Sequence, residues 1–348
     1  MKIKCKNENC LNEWNYSGNV VRYLVCPKCV SFVPLDEYQF DLETPQQNNF
    51  KYKIRTWLLE HPEFNPYKFS SPTNSLSWYD TLFKTLTNSI RSLPNFLLIG
   101  GHKSGATSLM SYLQQHHYIW GIRNLHFFEY FVNNKTSWYR KFFPTKIYFS
   151  YVKTIKKQKL NVGEMSATYF YHPDVRKRIM SLLPNVKLLL ILRNPIDMTY
   201  SKYNHGFNTG SITESFDSII KNELTRIKIR QNEPQLIINN PNFDNNVDSN
   251  YLRHGNYVYY LKKWLELFPR KQLHILTNEQ LTNNPIETME KVFEFLNAKP
   301  FAVTPEHKKN IQIYTKQMEP STRKFLKDYF TPYNEELYKL LGVNFNWA

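Results

Sequence analysis

From residue 94 onward, short apolar runs alternate with stretches of helical period. "NFLLIGG", "LNVGEMSAT", "VKLLLILRNP" and "QLHILTNEQL" are the runs, each bounded by turn residues. Between them, "SLMSYLQQH", "PDVRKRIMSLL" and "NYVYYLKKWLELF" carry apolar residues at helical spacing. This alternation predicts an α/β domain over residues 93–348, a parallel sheet covered on both faces by helices. Ligands of such sheets bind at the carboxyl ends of the strands. The stretch 219–250 is polar and reads as an excursion that varies with substrate. The chain has no internal repeat.

Upstream the pattern changes. Residues 36–92 begin with the Pro, Gln and Asn content of a linker. They end in "SLSWYDTLFKTLTNSIRSL", an amphipathic helix with Trp78, Leu82, Leu86 and Ile90 near one face and Ser75 or Ser77 as N-cap. Packing against the main domain is its expected role, and lying on a membrane surface is the alternative.

Composition adds limits. The chain has 348 residues, 41% of them hydrophobic and 16% aromatic, ample for a core. Its 45 Lys and Arg against 29 Asp and Glu give +16, which favours anionic partners such as nucleic acid, acidic glycans, phosphorylated cofactors or membrane headgroups without choosing among them. No apolar run reaches the roughly 18 residues of a membrane span. "MKIKCKNENCLNEW" has no apolar core or cleavage site, so the expected location is the cytosol, with a peripheral position at the membrane face as a variant.

All four cysteines fall in residues 1–35. Cys5, Cys10, Cys26 and Cys29 have the spacing C-x4-C-x15-C-x2-C. Two short thiolate pairs joined by an arm suit a closed tetrahedral structural Zn²⁺ site. A segment this short has too little core to fold without its metal. The stretch between the pairs reads as a hairpin bent at Ser17-Gly18-Asn19. Two disulfides are the rival reading, disfavoured in a reducing cytosol.

"LLIGGHKSGATSLMSYL" joins a predicted strand to a predicted helix through Gly100, Gly101, Lys103 and Gly105. Glycines let the backbone approach a ligand, the helix start near Thr107 offers free N–H groups, and Lys103 adds charge. It is not the nucleotide loop G-x-x-x-x-G-K-[ST], because Lys103 precedes the last glycine and Ala106 follows it. "VKLLLILRNPIDMTYSKY" ends a second strand in Arg193, where Walker-type NTPases place an Mg²⁺-binding aspartate. A cation there opposes Mg²⁺ and favours a second phosphate. Together the two sites describe a P-loop NTPase-like sheet gripping a ligand phosphorylated at both ends.

These two motifs resemble the cofactor loops of sulfotransferases that use 3′-phosphoadenosine-5′-phosphosulfate (PAPS). The resemblance runs from about residue 94 to the end and includes "SWYRKFFP" and "GEMSATYFYHP". It is nearest the carbohydrate branch, similar to heparan and chondroitin sulfotransferases. It places Lys103, Ser104, Gly105, Ala106, Thr107 and Ser108 on the 5′-phosphosulfate loop. Arg193 and Ser201 fall on the 3′-phosphate motif. PAPS is then the co-substrate and adenosine 3′,5′-bisphosphate (PAP) the product. Lys103 would neutralise charge on the leaving group.

The resemblance departs at "GIRNLHFFEYF". His126, Phe127 and Phe128 match, and Glu129 takes the acidic place, but the usual base position is Asn124. Met165 stands where some glycan sulfotransferases carry a lysine. His126 is the remaining base candidate, Glu129 its partner or substitute, and Glu164 a weaker candidate. His102 neighbours the phosphate loop, and Lys308 or Lys309 could reach the 3′-phosphate. The implied activity is sulfuryl transfer to a hydroxyl of a glycan-type acceptor. A P-loop kinase or NTPase, and a zinc-ribbon nucleic-acid-binding protein with a degenerate enzyme domain, are the alternatives.

Overall fold

The computed structural model describes residues 84, 86–131, 135–232, 250–305 and 317–347, together with four short strands near the N-terminus. The chain forms two compact units, Met1–Glu60 and His61–Ala348.

In the first unit, β1 (Lys2–Lys4) pairs antiparallel with β2 (Glu13–Asn15), and β3 (Tyr23–Val25) with β4 (Phe32–Pro34). The hairpin expected around Ser17-Gly18-Asn19 is therefore corrected. Each strand pairs across its own cysteine-bearing connection instead, and the register sets Ile3 opposite Trp14 and Leu24 opposite Val33. Cys5, Cys10, Cys26 and Cys29 themselves lie outside the described residues.

The second unit is built on a five-stranded parallel sheet of order β6-β7-β5-β8-β9. Its strands are β5 (Phe96–Gly100), β6 (Ile119–Arg123), β7 (Asn161–Met165), β8 (Lys187–Leu192) and β9 (Leu273–Thr277). Residues of β5 and β8 alternate between two apolar layers. Leu97, Ile99, Leu188 and Leu190 face a cluster with Tyr257 and Trp264. Phe96, Leu98, Leu189 and Ile191 face another with Met289 and Val292. Burial on both faces explains why these strands read as continuous apolar runs. The edge strand β6 did not stand out in the sequence, being five residues long and interrupted by Gly121, where a Cβ would strike the Met110 side chain.

The helices that matter for the site are α1 (Ala106–Leu113), α2 (Phe127–Tyr130), α3 (Pro195–Asn208), α4 (Phe216–Asn232), α5 (Tyr251–Gly255), α6 (Tyr257–Leu265) and α7 (Asn278–Asn283). The first part of the polar stretch 219–250 thus belongs to α4, which begins at Phe216 and buries Phe216, Ile220 and Glu223. The amphipathic segment before residue 93 is corrected at its end. Leu86 and Ile90 are exposed, and a 3-10 turn occupies Asn88–Ile90. Arg91 anchors the segment instead, buried and donating through Nη1 to the Phe143 carbonyl at 2.8 Å. Trp78 and Leu82 lie outside the described residues, as do Lys308 and Lys309.

Candidate functional site

The carboxyl ends of the five strands make one edge. Across it, in spatial order, come His126 and Glu129 after β6, Glu164 to Thr168 at the end of β7, Lys103 after β5, Arg193 after β8, and Asn278 with Glu279 after β9. The switch in connection direction lies between β5 and β8, where open α/β sheets bind ligands.

Beyond β5, the Gly101 N–H donates to the Ile191 carbonyl of β8 at 2.5 Å, and the Ser104 N–H turns back to the Gly101 carbonyl at 3.2 Å. Gly105 ends the turn at φ +95°, and a Cβ there would run into the Asn278 side chain. Conformation and space both demand glycine. Gly105 leads into α1 without a side-chain cap, leaving the first N–H groups of that helix for an anion. Thr107 is exposed there, whereas Ser104 and Ala106 are buried.

Arg193 Nη1 donates to the Lys103 carbonyl at 3.3 Å. Burial and the neighbouring Arg193 both depress the Lys103 ammonium below the usual lysine range. Among the described residues neither cation has a carboxylate partner. Other elements pin them. Tyr257 OH donates to the Arg193 carbonyl at 2.9 Å, and Asn278 Nδ2 donates to the Ser104 carbonyl at 3.1 Å. The Asn194 N–H donates to Glu279 Oε1 at 2.9 Å. Asn194 in turn caps α3, accepting from the Ile196 N–H at 3.0 Å, with Pro195 in the first turn. Ser201 lies buried on that helix.

Sequence reasoning missed what surrounds this pair. Lys202, next to Ser201, is buried with its ammonium 3.2 Å from His254 Nδ1 and 4.9 Å from the centre of the Tyr251 ring. His254 stacks on Tyr171 at 4.1 Å. Burial, with Lys202, Lys103 and His205 nearby, drives the His102 imidazole down to about 3. It is therefore neutral at working pH, and its buried Nδ1 has no hydrogen-bond partner among the described residues. His205, one turn beyond Ser201, joins this group. The motif around Arg193 and the polar end of "QLHILTNEQL" were the available signals for Lys202, His205 and Asn278.

On the other side of the edge, His126 Nδ1 lies 2.7 Å from Glu129 Oε2, with the Glu129 side chain almost fully buried and that of His126 26% exposed. One strand, β7, separates β6 from β5. At about 4.8 Å per strand, β6 and β5 themselves run roughly 10 Å apart, so the two loops rise from separate places on the same edge of the sheet. Asn124 continues the ladder, its N–H donating to the Met165 carbonyl at 2.7 Å, in a left-handed conformation (φ 55°) that asparagine tolerates. Met165 is buried in an apolar layer, so this position is part of the core here. Glu164 is fully buried one residue earlier.

Among the described residues no group of three or more His, Cys, Asp or Glu side chains could hold a metal ion. No described helix is long and apolar enough to cross a membrane.

Residues 93–335 match the family described as "Sulfotransferase domain". Among curated relatives, a bifunctional heparan sulfate N-deacetylase/N-sulfotransferase of Drosophila melanogaster is 32% identical, over 64% of this chain and 21% of that protein. The membrane-associated sulfotransferase kil1 of Dictyostelium discoideum is 26% identical, over 73% of this chain and 66% of that protein. Heparan sulfate glucosamine 3-O-sulfotransferase 5 of Mus musculus is 26% identical, over 74% of this chain and 75% of that protein. The chain thus spans about a fifth of the first relative and just under two thirds of the second. A solved sulfotransferase of Alicyclobacillus acidocaldarius shares the fold, with TM-score 0.55 and 24% identity over 74% of this chain and 99% of that one. These relatives correct the cytosolic location expected from the N-terminus, since they act on heparan sulfate or are named as membrane-associated. With 93–335 covered, the chain belongs to the sulfotransferase domain family.

Proposed function

We propose that this chain transfers a sulfuryl group from PAPS to a hydroxyl of a carbohydrate acceptor. The observation that carries the reading is the pair of cations at the tips of adjacent strands, Lys103 and Arg193, joined by one hydrogen bond. Two like charges held together in a partly buried place need an anion. The uncapped start of α1 and the glycine turn at Gly105 fit the same requirement. Family membership and the heparan sulfate relatives support sulfate as the transferred group and a sugar as its acceptor. They also displace the kinase and nucleic-acid readings.

PAPS supplies the activated sulfuryl group. Lys103 with Ser104–Ser108 would hold the phosphosulfate end, and Arg193 with Ser201 the 3′-phosphate. The Lys103 ammonium would offset negative charge gathering on the leaving phosphate oxygen. His126 takes the acceptor hydroxyl proton as the oxygen–sulfur bond forms and the sulfur–phosphate-oxygen bond breaks. Glu129 holds the imidazole through Nδ1, leaving Nε2 to face the acceptor, and stabilises the imidazolium that results. The test is transfer of radiolabelled sulfate from PAPS to desulfated heparan sulfate in the presence of EDTA. Labelled polysaccharide is expected, and none with any glycan acceptor would refute the reading.

We also propose that Cys5, Cys10, Cys26 and Cys29 bind a structural zinc ion. Their spacing supports this, as does their position along the chain, each pair falling between two paired strands. Metal analysis of the purified chain should find stoichiometric zinc that Cys26→Ser with Cys29→Ser removes.

A further inference from the structure

The short turn that carries His126 and Glu129 is held from behind by a hydrogen-bond chain that ends on a fully buried acid. Glu164 Oε1 accepts from Tyr169 OH at 2.8 Å, and the same hydroxyl accepts the Phe128 N–H at 3.1 Å. Beside it, Ser166 Oγ accepts the His126 N–H at 3.1 Å. All three supporting residues come from the end of β7 or the loop just after it, and both supported N–H groups belong to the turn around α2.

Such support is physically necessary. A four-residue helix cannot hold itself together. His126 enters it at φ 52°, a left-handed conformation that costs a non-glycine residue energy and persists only when its surroundings impose it. The N–H groups of the first helical turn have no partner within the helix. A tyrosine hydroxyl donates one hydrogen, so its direction depends on what it donates to. With Glu164 accepting, the Tyr169 lone pairs are aimed at Phe128. Without it, the hydroxyl is free to rotate and the Phe128 N–H is left buried and unpaired. Burial raises the Glu164 carboxyl to about 7, and both its protonated and ionised forms can accept through Oε1.

We propose that Glu164 is a positioning residue for sulfuryl transfer, fixing His126 and Glu129 through Tyr169 and the Phe128 N–H. It touches neither acceptor nor donor. The inference rests on the proposed role of His126, and it explains why an acid is buried one strand away from the proposed base.

The experiment compares Glu164→Gln, Glu164→Ala and Tyr169→Phe with the wild type. It uses PAP binding by calorimetry, and kcat and KM on the heparan sulfate acceptor. Glutamine keeps an oxygen at Oε1 and should retain wild-type kcat and KM. Alanine, and phenylalanine at 169, should lower kcat on the order of 100-fold, as expected when a catalytic group shifts by about an ångström. PAP affinity should be unchanged in all three. If Glu164→Gln loses as much kcat as Glu164→Ala, the carboxyl acts directly and the positioning role is wrong. If Tyr169→Phe keeps wild-type kcat, the hydrogen-bond chain does not position His126. This second result decides the matter even should Glu164→Ala fail to fold. A wild type that binds no PAP and sulfates no acceptor would instead refute the underlying function, before any variant is compared.

Discussion

The guanidinium of Arg193 donates to the backbone carbonyl of Lys103 at 3.3 Å, across 90 residues of sequence and between neighbouring strands. This contact links the two loops proposed to grip the phosphates. Arginine suits it because its planar fork can spend one N–H on the carbonyl and keep others for a ligand oxygen. Arg193→Lys should therefore bind PAP more weakly than wild type although the charge is kept, which calorimetry would show.

Gly105 makes a second prediction. Its φ of +95° and the Asn278 side chain leave no room for a Cβ. Gly105→Ala should cost about 1–2 kcal/mol for the conformation alone, with the collision adding to it. Both the thermal midpoint and PAP affinity should fall. A fully stable, tightly binding alanine variant would show that the turn is shaped otherwise.

The His126–Glu129 pair predicts a separation of binding from chemistry. His126→Ala should lower kcat on the order of 100-fold or more while leaving PAP affinity intact. Glu129→Gln should lower it less, since the amide can still orient the ring. Steady-state kinetics beside calorimetry would distinguish this from general damage, which moves both.

Burial lifts the Glu164 carboxyl from an ordinary value near 4.5 to about 7, against the opposing pull of the Tyr169 and Tyr139 hydroxyls and of His126, with Glu129 adding to the rise. Between those values the folded protein holds a proton that the unfolded chain has released. The stability contributed by this group therefore falls as pH rises from about 4.5 to 7, then stays level. Glu164→Gln mimics the protonated form. It should gain on wild type as pH rises, by at most about 3 kcal/mol at pH 8 relative to pH 5. Denaturant melts at both values would check this, and a difference independent of pH would contradict it.

How much of this was legible in the sequence depended on distance along the chain. The strands at 96–100, 161–165, 187–192 and 273–277 fall inside the apolar runs, because burial on both faces leaves an unbroken hydrophobic mark. Lys103 and Arg193 were visible because Arg193 directly follows such a run and Lys103 lies in the glycine turn just beyond another. The edge strand Ile119–Arg123 left a weaker mark, and the N-terminal pairing was misread because seven residues around Gly18 can bend as readily as the cysteine turns. What could not be read were partners set by tertiary packing. Lys202 meets His254, Tyr169 links Glu164 to Phe128, and Asn278 closes on Ser104. Each pairing depends on strand order, which no local pattern encodes.

The most direct test of the account is calorimetric titration of the full chain with PAP in EDTA. Wild type should bind. Lys103→Ala and Arg193→Ala should each weaken binding by about 10- to 100-fold, the usual worth of a charge-assisted contact. Unaltered affinity in both variants would show that the two cations do not grip the nucleotide.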